Sequence, residues 1–349
     1  MKIDKNKVKK ILVIKFGGIG DVVLFTPVLP NIHEYFPNAE ITVLIENKAK
    51  DIIEGNPNIH NYITFTSGTN NNSSIYNEIR KYKFDLVFDF YGNPRTALIT
   101  YFSNAKYRVG FDFRLRKYLY NIKANGYSSN IHNLDFNLRL LEIINIPVTT
   151  KKIFVHTNEI NKQTAADWFR KTGANSKQII SIVVCGGWES KIYRPKDYIE
   201  LLKMIRRKYN VNYLLIWGNK QERLQCEEIN NGIRDNCFIA PELDLKTLTE
   251  FFKYCTVMIG NDSGPLHLSV TSGNPVLEIC GPINPLLQGP YGEKNEYVYI
   301  EDLDCIFCNL LECPIGSKCL TDLPKSKIMI SFEKLLEKNN IRLERKETT

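Results

Sequence analysis

The sequence predicts an α/β fold with two domains that face each other across a cleft. Three observations support this: the 349 residues are too many for one core, short apolar runs alternate with amphipathic stretches, and each half contains a glycine-rich turn. The turns, residues 17–21 and 260–267, each follow an apolar run typical of a buried strand. Such turns present backbone N–H groups to anions such as phosphate.

The alternation places the secondary-structure elements in order along the chain. Apolar runs predict strands near 10–16, 40–46, 61–65, 85–90 and 107–111, then near 178–184, 212–218, 236–239, 256–260 and 275–280. Helical spacing predicts helices near 20–36, 73–83, 93–103 and 132–146, then near 160–172, 196–209, 220–231, 244–254, 263–272 and 326–339. Pro27 and Pro30 should interrupt the first helix.

The domain boundary is predicted near residues 146–157, where Pro147 and a cluster of Thr and Lys separate two periodic segments. We therefore expect an N-terminal domain over 1–155 and a C-terminal domain over 156–349. The last helix is a candidate to pack back on the first domain.

The net charge of +8 lies entirely in the first half of the chain. Residues 1–155 carry 21 Lys and Arg against 13 Asp and Glu, whereas residues 156–349 carry 25 of each. Much of the excess comes from Lys106, Arg108, Arg114, Arg116, Lys117 and Lys123, interleaved with Tyr107, Phe111, Phe113, Tyr118 and Tyr120. This stretch is either a surface for an anionic partner, such as acidic glycolipid, membrane headgroups or nucleic acid, or simply a solvated face.

The sequence indicates a cytoplasmic protein. It contains no run of 18 apolar residues, which argues against a transmembrane helix. The basic N-terminus precedes an apolar run, but Lys15 cuts that run and no small-residue cleavage site follows, so a first strand is favoured over a signal peptide.

Asp21, which follows Gly17, Gly18 and Gly20, has two interpretations. It is either the cap of a helix or a general base beside an acceptor hydroxyl, and local sequence alone favours the cap. The turn also resembles a dinucleotide-binding fingerprint, with Glu46 at the end of the second strand as the ribose-binding acid. The third glycine of that fingerprint is missing, because Val23 stands in its place.

The second glycine-rich turn and a third loop provide candidate anion ligands. The N–H groups of Ser263 and Gly264 could bind a diphosphate, Asp262 a sugar hydroxyl, and His267 could reach the same ligand, although a lone His is more often structural. The loop over residues 185–191 also follows a predicted strand. In that loop and just beyond it, Lys191 or Arg194 could neutralise a phosphate, or the loop is only solvated.

Nine cysteines are many for a cytoplasmic protein. Cys185, Cys226, Cys237, Cys255 and Cys280 fall in predicted strands and helices and are expected to be buried. Cys305, Cys308, Cys313 and Cys319 are clustered and form a candidate structural metal site, although a second C-x-x-C is missing.

Together these motifs resemble glycosyltransferase family 9, the lipopolysaccharide heptosyltransferases. The resemblance is carried by ILVIKFGGIGDVV over residues 11–23, TPVL over 26–29 and FPNAEI over 36–41. In the second half it is carried by GNDSGPLHL over 260–268, GNPV over 273–276 and GP at 281–282. The cysteine cluster also looks like one found in many members.

The resemblance implies a GT-B fold of two Rossmann-like domains, with the acceptor on the first and the nucleotide sugar on the second. It implies an inverting heptose transfer from ADP-heptose to a lipopolysaccharide core acceptor at the inner-membrane surface, without a metal and without nucleic acid. It makes Asp21 the base. It assigns donor binding to Asp262, Ser263, Gly264 and His267, to Lys191 or Arg194, and to Glu222 and Leu243, which fall where the family holds ribose and adenine.

Three rival functions stay open. The protein could be a family member with a different donor or acceptor, since glycine turns bind diphosphate rather than sugar. It could be an NAD-dependent oxidoreductase, against which the missing third glycine argues. It could also be a non-catalytic binding protein, in which replacing Asp21 would change no turnover.

Overall fold

The structure, a computed structural model, describes residues 3–66, 72–127 and 130–346. The chain divides into two compact units, Met1–His156 and Thr157–Thr349. Each unit contains a six-stranded, wholly parallel sheet among its helices, so the predicted α/β class is confirmed.

The first unit has the strand order β3-β2-β1-β4-β5-β6. Its strands are β1 (Lys10–Lys15), β2 (Glu40–Glu46), β3 (Asn61–Phe65), β4 (Leu86–Asp89), β5 (Tyr107–Phe111) and β6 (Ile122–Ala124). Its helices are α1 (Ile19–Val23), α2 (Val28–Tyr35), α3 (Lys50–Ile53), α4 (Asn72–Tyr82), α5 (Pro94–Phe102) and α6 (Asn133–Glu142), with 3-10 turns at Lys5–Lys7, Asn47–Ala49 and Arg114–Leu119.

The second unit has the order β12-β11-β10-β7-β8-β9, which repeats the order of the first sheet. Its strands are β7 (Ile179–Val183), β8 (Asn212–Ile216), β9 (Cys237–Ile239), β10 (Val257–Asn261), β11 (Val276–Ile279) and β12 (Glu296–Val298). Its helices are α7 (Glu159–Thr172), α8 (Pro195–Lys208), α9 (Lys220–Ile233), α10 (Leu245–Phe252), α11 (Gly264–Ser269), α12 (Pro285–Gln288), α13 (Lys318–Thr321) and α14 (Lys325–Lys338), with 3-10 turns at Ala174–Ser176, Glu189–Lys191 and Val270–Ser272.

The strand order creates one switch point in each sheet. The chain runs outward from β1 to β3, then returns to pair β4 with β1, and it repeats this path with β7 and β10. Loops that leave such neighbouring strands diverge, and the gap between them is where open α/β sheets bind ligands. In the second sheet the switch-point strands approach so closely that a Cβ on Gly260 would lie 2.8 Å from the Val183 carbonyl oxygen.

The predicted elements differ from the observed ones in a few places. The helix predicted over 20–36 is split into α1 and α2, with Pro27 as the N-cap of α2. Pro30 was also expected to kink or interrupt the helix, but it does not interrupt it. It lies in the first turn of α2, where no intrahelical N–H bond is required. The edge strands β6 and β12 were not predicted, because each has three residues with a charged one among them and so forms no apolar run, whereas the equally short β9 is wholly apolar.

The last helix packs on the second unit. Helix α14 contacts β11, β12 and α8, and it buries Ile328, Phe332 and Leu335 there. Among the residues that the structure describes, no helix is long and apolar enough to cross a membrane.

Candidate functional site

Asp21 lies just after β1, at the switch point of the first sheet. Its Oδ2 accepts a hydrogen bond from the Gly18 N–H at 2.9 Å, and its Oδ1 accepts one from Asn133 Nδ2 at 3.1 Å. The carboxylate is therefore the cap of α1, but each oxygen keeps a lone pair that can accept a proton. Gly17 has a φ of +122°, and a Cβ there would lie 2.8 Å from Asp21 Oδ2, so both backbone and space require glycine.

A buried cation, Lys15, is linked to Asp21 by a chain of hydrogen bonds. Lys15, at the end of β1, is buried and donates to Asn137 Oδ1 at 3.1 Å, and Asn137 in turn donates to the Asn133 carbonyl at 2.8 Å. Burial lowers the pKa of Lys15, although the charges of Asp21 and Asp89 oppose this. A relay therefore runs from β1 through α6 to the carboxylate of Asp21.

Asp89 is the second buried acid of this switch point. It ends β4, and it accepts hydrogen bonds from the Tyr91 and Gly92 N–H groups and, at 2.7 Å, from the Tyr120 hydroxyl. Burial nevertheless raises its pKa. The charges of two carboxyl groups therefore act on Lys15: that of Asp89, which is fully buried, and that of Asp21, which is half-buried.

Lys191, Asp262 and His267 meet at the switch point of the second sheet. Lys191 Nζ lies 2.6 Å from Asp262 Oδ2, and His267 Nε2 lies 3.4 Å from Asp262 Oδ1. Although burial opposes it, the contacts with His267 and Lys191 lower the pKa of Asp262. The Lys191 ammonium also lies 4.0 Å from the centre of the Trp188 ring. The predicted motif residues from two separate loops therefore form one charged cluster.

The structure brings Lys191 to this cluster and directs Arg194 elsewhere. Arg194 Nε pairs with Asp197 Oδ2 at 2.6 Å, and Lys325 pairs with the other oxygen of Asp197 at 2.7 Å. Asn261 Nδ2 donates to the Lys191 carbonyl at 2.7 Å, which ties the Lys191 loop to the end of β10. Of the two basic residues that the sequence left as alternatives, Lys191 is the one beside Asp262.

Ser263 and Gly264 lie where α11 begins. The Ser263 hydroxyl accepts from the Leu266 N–H at 3.4 Å and so caps the helix. Helix α11 has six residues and α1 has five. Helices this short contribute little beyond their first-turn N–H groups, so we expect charged side chains to supply most of the anion affinity.

Glu222 and Leu243 flank a different part of the second unit. The Glu222 carboxylate accepts from the Gly186 N–H at 3.1 Å and from the Gly218 N–H at 2.7 Å, so it joins the loops after β7 and β8. A neighbouring pocket of about 550 Å³ is lined by Trp217, Gly218, Asn219, Lys220, Arg223 and Glu242. Leu243 is half-buried next to Glu242.

Glu278, in the middle of β11, is a residue that the sequence did not single out. It is 1% exposed, and among the described residues no N–H or O–H group donates a hydrogen bond to either carboxyl oxygen, although the Cys280 thiol lies beside them. Burial and the charge of Asp262 hold its pKa well above the ordinary value, and Lys191 acts in the opposite direction. Glu278 therefore belongs electrostatically to the Lys191–Asp262 cluster.

The basic stretch of the first unit is only partly free surface. Arg108 donates to the Leu119 and Ala105 carbonyls, so its guanidinium holds the local backbone in place. The 3-10 turn Arg114–Leu119 instead presents Leu115, 81% exposed, and Tyr118, 70% exposed, beside the exposed Arg114. An apolar tip flanked by basic residues is the more informative feature of this stretch.

The clustered cysteines do not form the metal site that their number suggested. All nine cysteines are free thiols, and Cys305 and Cys308 are exposed whereas Cys319 is buried. Burial and the nearby thiols raise the pKa of Cys319 to about 11. Within residues 3–66, 72–127 and 130–346, no group of three or more His, Cys, Asp or Glu is arranged to hold a metal ion.

Comparison with known proteins places these residues in a wider context. Residues 73–318 match the model of glycosyltransferase family 9 (heptosyltransferase). The chain is 28% identical to lipopolysaccharide heptosyltransferase 1 from Campylobacter coli over 293 residues, which cover 78% of this chain and 84% of that protein.

Two solved structures share the fold. The family 9 glycosyltransferase from Veillonella parvula superimposes with a TM-score of 0.80 at 21% identity, covering 94% of this chain and 97% of that one. The E. coli ADP-heptose lipopolysaccharide heptosyltransferase II superimposes with a TM-score of 0.74 at 17% identity, covering 95% and 99%. The predicted GT-B fold is confirmed by these likenesses and by the two Rossmann-type sheets.

Replacing the buried acid should change how stability depends on pH. The pKa of Glu278 is raised above its ordinary 4.5, so the wild-type free energy of unfolding loses this residue's contribution as pH rises from about 4.5 through the raised pKa. Glu278→Gln carries no such penalty. The free energy of unfolding of Glu278→Gln relative to wild type should therefore grow as the pH rises from 5 to 8, measured by urea unfolding.

Glu296 on the neighbouring strand is the matched control. Despite partial burial, hydrogen bonds from Lys338 and Lys334 lower its pKa, so Glu296→Gln should cost stability at neutral pH rather than add it. A difference between Glu278→Gln and wild type that stays constant from pH 5 to pH 8 would contradict a neutral Glu278.

Proposed function

The chain belongs to glycosyltransferase family 9, and we propose that this glycosyltransferase moves heptose from ADP-heptose to a lipopolysaccharide core acceptor. We further propose that the transfer inverts the anomeric centre and needs no metal ion. The relatives support the donor and the acceptor, since the E. coli protein is described as an ADP-heptose lipopolysaccharide heptosyltransferase.

The observation that carries the proposal is the Lys191–Asp262 ion pair. It lies at the switch point of the second sheet, inside the segment that matches the family, and it is largely buried, with side chains 13% and 8% exposed. A buried ammonium is a strong electrostatic partner for a diphosphate, because the surrounding low dielectric strengthens the attraction. Lys191 would stabilise the charge that develops on the leaving ADP, which is the task of a divalent ion in metal-dependent enzymes.

The remaining donor contacts follow from the loops around this pair. The Ser263 and Gly264 N–H groups would bind diphosphate oxygens, and Asp262 and His267 would bind sugar hydroxyls. The pocket beside Trp217 and Glu242 is large enough for a nucleoside. Glu222 and Leu243 adjoin that pocket, which supports their proposed contacts with ribose and adenine. Arg194 is a less suitable diphosphate ligand, because Asp197 already holds it.

Asp21 would act as the general base. Its carboxylate would take the proton of the acceptor hydroxyl as that oxygen bonds to the anomeric carbon and the bond from carbon to the ADP oxygen breaks. The relay through Asn133, Asn137 and Lys15 would fix the carboxylate in place. Capping and base catalysis are compatible here, because the cap occupies only one lone pair of Oδ2.

The first unit would meet the acceptor at an anionic membrane. Leu115 and Tyr118 could enter the headgroup region while Arg114 and Lys117 contact lipid phosphates or acidic sugars. A basic surface with an exposed apolar tip fits an interface better than free solvent, where such a tip gains nothing. We therefore propose peripheral association with the inner membrane.

The oxidoreductase alternative is disfavoured by the first glycine turn itself. The position where a dinucleotide fingerprint needs its third glycine is Val23, which is fully buried in the core of the first unit. Hydride transfer would also leave the Lys191–Asp262 pair without a role.

Nucleotide binding should identify the donor. With ADP, UDP, GDP and NAD offered separately in a thermal-shift assay, ADP alone should stabilise the protein, by about 2.7 kcal/mol at 100 times its Kd, with or without EDTA. Lys191→Ala should weaken ADP binding at least tenfold, because the main cation of the site is lost. Arg194→Ala is the matched control and should change it less than threefold. A shift with UDP, GDP or NAD but not ADP would remove the proposed donor.

Replacing Asp21 should separate binding from chemistry. Asp21→Asn keeps the cap but cannot take a proton, so kcat for heptose transfer should fall by about 10²–10⁴. The thermal shift with ADP should stay at the wild-type value. Transfer that continues at the wild-type rate would show that another group is the base, and absent transfer in the wild type would favour a non-catalytic binding protein.

Membrane association should depend on the tip and on its charges. Arg114→Glu should lower binding to vesicles containing anionic phospholipid by on the order of tenfold, since each nearby basic residue contributes about 1 kcal/mol. Leu115→Ser with Tyr118→Ser should lower this binding by on the order of tenfold as well, because the apolar side chains that enter the headgroup region are lost. The measurement is vesicle flotation, with neutral phosphatidylcholine vesicles for comparison. Ile160→Ser, at an equally exposed apolar position of the second unit, should have no effect. Equal flotation of all variants and wild type would refute membrane binding through this surface.

A further inference from the structure

Glu278 is an acid in a place where the fold needs an apolar residue. It pairs with Gly260 on β10 and with Tyr297 on β12, so it lies inside the second sheet, one strand away from the strand that leads to Asp262. Its chain neighbours Leu277 and Ile279 are buried in the apolar core. Buried polar side chains almost always have good hydrogen-bond partners, yet the two oxygens of Glu278 meet no N–H or O–H donor of the described residues and have only the weak Cys280 thiol beside them.

The surroundings make room for this carboxyl group. A Cβ on Gly289, just after α12, would lie 2.8 Å from Glu278 Oε2, so glycine leaves the space that the carboxyl fills. The titratable groups that act on Glu278 are Asp262 from the loop after β10, Lys191 from the loop after β7, and Cys280, which follows it on its own strand. Tyr297 on β12 is a further neighbour. Burial raises the pKa of its hydroxyl, and the charge of Glu278 raises it further.

A purely structural role does not account for the residue. An unpaired buried carboxyl costs stability, and an aliphatic side chain of similar size would avoid that cost. No backbone amide of the described residues is bound by it, unlike Glu222, which joins two loops. The Glu278 carboxyl lowers the stability of the fold and lies beside the Lys191–Asp262 cluster. This combination points to a ligand that provides the missing hydrogen-bond partners.

We propose that Glu278 is a further recognition residue of the donor site, and that its carboxyl group binds a hydroxyl of the transferred sugar. This inference rests on the proposed function, because it presumes that a nucleotide diphosphate sugar binds at Lys191 and Asp262. Both Glu278 oxygens are covered in the structure, so the approach of the sugar requires a local movement. Lys191, whose charge acts on Glu278 and whose side chain is 13% exposed, would make that movement by turning from Asp262 toward the diphosphate.

The protonation state of Glu278 suits this task. Burial and the charge of Asp262 raise its pKa, which favours the neutral, protonated form. A neutral carboxyl donates one hydrogen bond and accepts another, as a sugar hydroxyl does, so the two groups complement each other. A second carboxylate at this point would instead repel the incoming diphosphate. Asp262 would carry the only negative charge of the carboxyl pair.

The experiment compares ADP with ADP-heptose by calorimetry on wild type, Glu278→Met and Glu278→Gln. Glu278→Met keeps the length of the side chain but removes its hydrogen bonds. It should weaken ADP-heptose binding by roughly tenfold or more while the Kd for ADP changes less than twofold, since ADP lacks the sugar. Glu278→Gln, which both donates and accepts, should stay within threefold of wild type for both ligands. Should Glu278→Met fail to fold, Glu278→Asp withdraws the carboxyl by one methylene and should show the same selective loss.

Leu277→Val is the control for a disturbed strand, because it alters the same strand without touching the carboxyl. It should leave the ratio of the two dissociation constants unchanged. Glu278→Met that binds ADP-heptose as tightly as wild type, or that loses ADP and ADP-heptose equally, would overturn the assignment. A wild-type protein that binds neither ligand would instead refute the proposed function, and the role of Glu278 would fall with it.

Discussion

Burial of both faces of two parallel sheets is the constraint on which the rest of this molecule depends. Helices and loops cover the strands, so the strand interiors are apolar and the backbone groups are satisfied by the ladders between strands. Charged side chains then gather mainly where strands end, and Glu278 inside β11 is the exception that we describe. The repeated strand order brings β1 next to β4 and β7 next to β10, and these two junctions hold most of the buried charge that we describe.

Buried charges persist at these junctions because each has an opposite partner. Removing one member of a buried pair leaves an uncompensated charge, which costs about 3–5 kcal/mol. Lys15 lies within the influence of Asp21 and Asp89, and Lys191 lies against Asp262. A diphosphate that binds Lys191 therefore also disturbs Asp262, and His267 at 3.4 Å is the cation-capable group placed to compensate it.

Much of this arrangement could be predicted from sequence, because strands and glycine turns are local patterns. Asp262 follows an apolar run directly, and Asp21 and Lys191 lie in the turns that follow such runs, which places all three beyond strand ends. Asn133 could not be found in this way, since it reaches Asp21 from 112 residues further along the chain.

Glu278 was hidden for a different reason. It stands inside an apolar run that correctly predicted a strand, and a single acid in such a run gives no indication of its partners. The contrast between Pro27 and Pro30 has a similar origin. Only the observed start of α2 decides which proline breaks a helix and which one fits its first turn.

Each junction combines a cation with carboxyl groups, but the two junctions differ in which of the two is more deeply buried. In the first unit the cation, Lys15, is the buried member, and the half-buried carboxylate of Asp21 is presented at the end of its strand. In the second unit the carboxylate of Asp262 is the more buried member, and the ammonium of Lys191 is slightly more exposed. A half-buried carboxylate supported by a cation suits the acceptance of a proton, whereas an ammonium supported by carboxyl groups suits the binding of an anion. On the proposed function, the same fold would supply a base from one half and a phosphate site from the other, according to whether the cation or the carboxylate is the more buried group.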